Sequence, residues 1–271
     1  MKIPLEDTFV DIVGKAQRGL KLTDDALAAA AGIPAVALAE VRSGTFDPEV
    51  LSSLAPVLGL NTKALVALGA GTYKPASVAL HGLECFNTAF EDMTVNSYLV
   101  RDEATKEAAA FDTGADATPM LDFLGKHGLT LKYLFLTHTH GDHILELDRL
   151  VEKTGTSVLV GSREPALEGA EPFEAGRSFQ LGRMSIGTRL TWGHAQGGIT
   201  YVVAGLEKPL AVVGDAVFAG SMGGGAVSYV DALRTNREEI FTLSDDTILA
   251  PGHGPLTSVG EQKRANPFFA V

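Results

Sequence analysis

Apolar positions fall into two textures along the chain. In the first 70 residues they recur at helical spacing between strong start and stop signals. Thr8 to Arg18 reads as a helix ending at Gly19. Thr23 caps a second helix whose first turn holds Asp24 and Asp25, and Gly32 ends its alanine run. Pro34 sits at the first position of a third, which stops near Ser43-Gly44. Asp47-Pro48 starts a fourth, expected to stop or kink just before Pro56. Thr62 to Leu68 forms the last. Gly69 to Pro75 reads as a linker. Beyond it, short β-type runs alternate with helical stretches. The runs are Ser97–Val100, Ala108–Phe111, Leu131–Leu136, Ser157–Val160, Ile199–Ala204, Leu210–Val213 and Thr247–Leu249. The helical stretches are Ala117–His127, Ile144–Thr154 and Tyr229–Leu243. The pattern predicts a helical region over residues 1–70 and an α/β or α+β region over residues 71–271.

Charge and composition narrow the function classes. The 271 residues carry a formal net charge of −11, which disfavours nucleic acid because phosphate binding needs a basic face. The longest apolar run, Ala26 to Ala31, is far short of the roughly 20 residues that span a bilayer. Met1 to Val10 lacks an apolar signal core, so a cytoplasmic protein is expected. The single Cys85 excludes an internal disulfide and a Cys-rich zinc finger.

The seven histidines change the picture most. Thr137-His138-Thr139-His140-Gly141-Asp142-His143 follows an apolar strand and precedes a helix. Loops at the C-terminal ends of strands are where α/β folds place chemistry. Four ligand-type side chains in six residues cannot all enter a core without partners. A metal ion satisfies imidazole nitrogen and carboxylate oxygen together. His194, Asp215 and His253 occupy similar settings, each beside glycine after an apolar run. His81 and His127 read as a strand-end and a helix-end residue, and Cys85 as a small buried one. Trp192 reads equally as packing or as a wall near His194.

This set resembles the metallo-β-lactamase superfamily from about Leu80 to the end of the chain. Asn96 to Val100 and Phe111-Asp112-Thr113-Gly114 look like that family's opening strands and turn. The resemblance implies an αββα sandwich with two divalent metals at one sheet edge. It implies His138, His140 and His194 on the first metal, Asp142, His143 and His253 on the second, and Asp215 bridging, with Asp142 and Asp215 as the catalytic carboxylates. Zinc is the expected metal, with iron or manganese as alternatives. Gly214 to Gly223, Pro251 to Glu261 and Arg264 to Phe269 are similar to the glyoxalase II-like branch. That branch implies a small-molecule thioester attacked by a metal-bound hydroxide.

Several positions depart from the branch. Gly224 and Gly225 stand where Arg usually follows, Trp192-Gly193-His194-Ala195 replaces the usual Pro-Gly-His-Thr, and no glutathione-binding helical domain follows His253. The glycine run Gly223–Gly225 suggests a mobile loop. Lys263 and Arg264 read as solvated charges or as a contact for an acidic substrate tail. Lactonase, phosphodiesterase and single-iron persulfide dioxygenase readings remain alternatives on the same fold.

The N-terminal helices resemble a phage-repressor helix-turn-helix through Leu27 to Ile33 and Val36 to Gly44. The helix that would enter a DNA groove offers Ala35, Val36, Ala37 and Ala39, where base edges need Arg, Asn, Gln or Ser. A packing or homo-oligomerising module is therefore expected, one whose removal alters oligomer size more than metal content. The alternative is a DNA-binding regulator that senses a ligand or metal.

Overall fold

The computed structural model describes residues 3–271. Five helices come first: α1 (Phe9–Gly19), α2 (Asp24–Ala31), α3 (Ala35–Arg42), α4 (Pro48–Val57) and α5 (Thr62–Gly69). Thr23 and Asp47 cap as the sequence predicts, and Asn61 adds an unpredicted cap to the fifth helix. Thr23 accepts from the Ala26 amide, Asp47 from those of Glu49 and Val50, and Asn61 from that of Ala64. Two details differ. Pro34 is the cap of α3 rather than its first residue. The fourth helix runs through Pro56 to Val57. Pro56 leaves the Ser52 carbonyl without its helical amide partner, and the helix ends one residue later.

The strands build two six-stranded sheets. The first, in spatial order, is β1 (Leu83–Phe90), β2 (Met93–Arg101), β3 (Glu107–Phe111), β4 (Thr130–Phe135), β5 (Ser157–Gly161) and β6 (Ala170–Phe173). The second contains β7 (Ser178–Leu181), β8 (Met184–Leu190), β9 (Ile199–Ala204), β10 (Leu210–Gly214), β11 (Ile248–Pro251) and β12 (Thr257–Ser258), in the spatial order β12-β11-β10-β9-β8-β7.

Period-two alternation sorts each strand between two cores. Tyr98, Phe111, Phe135, Tyr201, Val212 and Ala250 point between the sheets. Leu99, Ala110 and Leu134 point outward, under α6 (Thr118–His127) and α8 (Leu147–Thr154). Ala211, Val213 and Leu249 point outward on the other side, toward α9 (Tyr229–Thr235) and α10 (Val259–Ala265). Burial on both faces explains why the central strands read as continuous apolar runs. The layers are helix, sheet, sheet, helix, and the N-terminal helices join the last of them. Ile12, Leu27, Leu54 and Leu65 share one core with Val213, Ala232, Leu249 and Phe268.

The helical stretches differ from expectation in two places. Ile144–Thr154 is interrupted, with α7 (Gly141–Ile144) and α8 separated at Leu145-Glu146. Tyr229–Leu243 is α9 followed by a π-helical turn, Asn236–Ile240. No helix among the described residues is long and apolar enough to cross a membrane.

Candidate metal centre

Strand direction decides where the chemistry gathers. β3 and β4 are parallel, so Asp112 and the Thr137–His143 loop leave the same edge of the first sheet. β10 and β11 are parallel, and β8 reaches their direction through two antiparallel pairings, so Asp215, His253 and His194 leave the matching edge of the second. β2 is antiparallel to β3, which brings its opening residue pair Met93-Thr94 to that edge as well.

All seven residues singled out from the sequence come together there. His138, His140, His194 and Asp215 form one group of converging donors, and Asp142, His143 and His253 another. His140 Nδ1 lies 3.0 Å from both His138 Nε2 and His194 Nε2, and His194 Nε2 lies 3.3 Å from Asp215 Oδ2. His143 Nε2 lies 3.4 Å from Asp142 Oδ2 and from Asp215 Oδ1, while His253 Nε2 lies 3.2 Å from Asp142 Oδ2 and 3.5 Å from Asp215 Oδ2. Bonds of 2.0–2.1 Å in a tetrahedron give donor–donor edges of about 3.3 Å. The observed spacings are those of ligands around a cation, and Asp215 is the carboxylate that borders both groups.

Hydrogen bonds behind the imidazoles aim their lone pairs inward. His143 donates from Nδ1 to Asp112 Oδ2 (2.8 Å), His253 from Nδ1 to the Thr94 carbonyl (2.7 Å), and His194 from Nδ1 to the Gly224 carbonyl (2.9 Å). Thr137 donates its hydroxyl to Asp112 Oδ2 (2.7 Å) and so accepts from His138 Nδ1 (3.0 Å). Each of these four rings therefore turns its Nε2 toward the centre. Two buried atoms there, His143 Nε2 and Asp215 Oδ1, have no hydrogen-bond partner. Orphaned donors of this kind are costly unless a cation takes them. The residues present thus fit two divalent metal ions.

A profile of the metallo-beta-lactamase superfamily matches residues 91–253. This chain belongs to that superfamily. The five N-terminal helices lie outside the matched residues. A probable metallo-hydrolase of Streptococcus pyogenes is 31% identical over 199 residues, covering 64% of this chain and 84% of its own length. Hydroxyacylglutathione hydrolase GloC of Haemophilus influenzae is 28% identical over 209 residues, 67% of this chain and 94% of its own. Among solved structures, ETHE1 from Myxococcus xanthus matches with a TM-score of 0.59 at 28% identity, over 68% of this chain and 83% of that one. The BLEG-1 B3 metallo-beta-lactamase matches with a TM-score of 0.60 at 27% identity, over 69% and 100%.

The electrostatics of this metallo-beta-lactamase superfamily site divide along the two donor groups. Burial, and then the neighbouring His143, keep His138 well below the usual imidazole range. Burial and His194 lower His140 likewise. His143 is pushed up to about 10, because the Asp215 and Asp112 carboxylates outweigh its burial. The same contest at His253, won by Asp215 and the Asp142 hydrogen bond, pushes it up to about 11. Asp215 is held well below the carboxylate range by His143 and His253 despite its burial. The site therefore collects positive charge around two ionised carboxylates, which is the charge balance a cation pair would take over.

Sequence reasoning missed the supporting residues. Asp112 serves one ligand in each group, yet its motif reads only as a turn. Its φ of +58°, rare for a residue with a side chain, is the local sign of its role. Glu164 accepts from the Thr139 amide (3.0 Å), the Thr139 hydroxyl (2.6 Å) and the Gly197 amide (2.6 Å), tying the His138–His140 loop to the His194 loop. The glycine run is closely packed at Gly223 and Gly225 and open at Gly224. A side chain at Gly223 would meet the Asp215 carbonyl at 2.1 Å, and one at Gly225 would meet Tyr229 at 2.4 Å. Trp192 is half-buried, its carbonyl accepting from the Thr235 hydroxyl (3.0 Å). His127 stacks on Phe123 at 4.2 Å between ring centroids, and Lys263 pairs with Asp245 at 2.7 Å. Both stay outside the site.

Proposed function

We propose that the chain is a dinuclear metallo-hydrolase that cleaves a thioester of a small acyl group. The observation that carries the reading is the buried Asp215 carboxylate, which borders both donor groups, its Oδ1 facing His143 and its Oδ2 lying between His194 and His253. Two divalent ions held there, zinc foremost, would lower the pKa of a water to roughly 7 and polarise a substrate carbonyl. His138, His140 and His194 would hold one ion, and Asp142, His143 and His253 the other, with Asp215 between them. Asp142, held below the carboxylate range by His253 and His143 although burial opposes, stays ionised, as a carboxylate donor must. The thioester assignment is supported by the relative named a hydroxyacylglutathione hydrolase and by the glyoxalase II-like segments around Asp215 and His253. A thiol, with a pKa near ~8.5, leaves far more readily than an alcohol.

The test is elemental analysis of protein purified without added metal, joined to a panel of thioesters, lactones and phosphodiesters. Close to two divalent ions per chain and turnover confined to thioesters are expected. Asp215→Ala should cost hydrolysis at least ~100-fold, beyond the usual loss for an outer-shell partner, with the circular dichroism spectrum retained. Metal near zero, or full turnover by the variant, sinks the reading. Turnover confined to lactones or phosphodiesters, or iron with oxygen consumption on a persulfide, keeps the centre and replaces the substrate.

A further inference from the structure

The N-terminal segment reaches the metal centre, although it belongs to the region outside the family match. Asp7 and Lys15 form an ion pair whose side chains are only 8% and 14% exposed. Neither charge is turned to solvent. Asp7 Oδ2 accepts from the Ser221 hydroxyl at 2.5 Å, and Lys15 Nζ donates to the Met222 carbonyl at 2.9 Å. Ser221 and Met222 close the loop that begins at Asp215. The next residue, Gly223, donates its amide back to the Asp215 carbonyl at 3.0 Å.

The same segment flanks His253. Lys15 Nζ stands 5.2 Å over the Phe218 ring, which meets the His253 ring edge-on at 5.6 Å. Glu6 Oε2 lies 3.9 Å from His253 Nδ1. The backbone of Pro4 and Glu6 runs beside Gly254, where an added Cβ would stand in ordinary contact, 3.4 Å from the Glu6 amide nitrogen.

Resting on the metallo-hydrolase reading, we propose that Asp7 and Lys15 are positioning residues of the metal centre, fixing the loop that presents Asp215. A buried ion pair is weak as a stabilising device, since apolar side chains of equal volume often serve the fold as well. Here each charged group also makes a hydrogen bond to the Asp215 loop. Asn236, Asn266 and Gln262 hold the same loop from the C-terminal helices, at the Ala216 carbonyl (2.7 Å), the Ser221 carbonyl (2.7 Å) and the Gly220 amide (2.8 Å). The N-terminal pair supplies the opposite side of that grip. Loss of the pair leaves the loop folded but free to shift by a fraction of an ångström, which a bridging carboxylate tolerates poorly.

The test uses the full chain with Lys15→Met, Lys15→Arg and Ser221→Ala. Metal affinity is measured by competition with a chromogenic chelator, and the melting of metal-free protein is followed in parallel. Lys15→Met should weaken metal binding about 10–100-fold, the range found for outer-shell partners, and lower kcat with KM little changed. Ser221→Ala, which removes one hydrogen bond and no charge, should move both in the same direction by less. Lys15→Arg should restore most of the affinity. Unchanged affinity in both Lys15→Met and Ser221→Ala overturns the proposal, as does Lys15→Arg binding metal no better than Lys15→Met. If Lys15→Met does not fold, Ser221→Ala decides. Wild-type protein that binds no metal would instead sink the metallo-hydrolase reading itself.

Discussion

Asp112 accepts three hydrogen bonds, from the Thr137 amide (2.7 Å), the Thr137 hydroxyl (2.7 Å) and His143 Nδ1 (2.8 Å). One carboxylate thereby sets the tautomer of His143 directly and of His138 through Thr137. In Asp112→Asn, an amide N–H would have to face a donor at one of these positions. On the proposed dinuclear centre, metal affinity is expected to fall about 10–100-fold by chelator competition, with both donor groups affected rather than one. Loss confined to one site would show that the two ligands are oriented independently. The contrast between Asp112 and the seven donors shows what a sequence displays at this scale. Histidines after apolar runs are conspicuous because an unpartnered imidazole there has no bland explanation. An aspartate before Thr-Gly has one, as a turn residue, and its partners lie 25 and 31 positions away.

At the scale of elements, the central strands were legible because burial on both faces makes them unbroken apolar runs. β1 was not. Its sequence, Leu-Glu-Cys-Phe-Asn-Thr-Ala-Phe, is half-buried almost throughout and pairs only with β2, so nothing marks it but register. β6 and β7 are short edge strands and escape for a similar reason. One link between sheets also depends on such detail. Asp102, just past β2, accepts from the backbone amide and guanidinium of Arg183 in the β7–β8 turn (2.7 Å and 3.1 Å). Those hydrogen bonds hold its carboxyl down at about 2. An unfolded Asp titrates near ~3.9, so the stabilisation is complete above that pH and is lost as pH falls through it toward 2. The melting temperature of Asp102→Asn should lie below wild type at neutral pH, and the gap should close between about pH 4 and pH 2. A gap constant across that window would mean that the pair does not link the sheets in this way.

For the whole molecule, the boundary near Gly71 is plain in the sequence, but the way the two parts meet is not. Change of texture marks where one kind of element stops, and it carries no information about which apolar faces are shared. The sequence reading expects removal of residues 1–72 to alter oligomer size more than metal content. The shared core adds an expectation about the fold itself. Deletion would strip Ile12, Leu27 and Leu65 from Val213, Leu249 and Phe268, and would remove the side of the loop grip supplied by Asp7 and Lys15. The shortened chain should be recovered as aggregate, or as protein that binds the dye ANS and retains little metal. A well-ordered fragment with full metal content would show that the catalytic region stands alone.

The same shared core has a consequence for synthesis on the ribosome. Helices α1 to α5 share a core with strands and helices that are synthesised well over 100 residues later, from Ala211 to Phe269. At about 5–20 residues per second, α1 waits on the order of ten seconds or more before its final neighbours exist. During that interval an apolar face is on offer to whatever else the cell contains. Slow codons between residues 70 and 211 should therefore lengthen the exposure and lower the yield of folded protein.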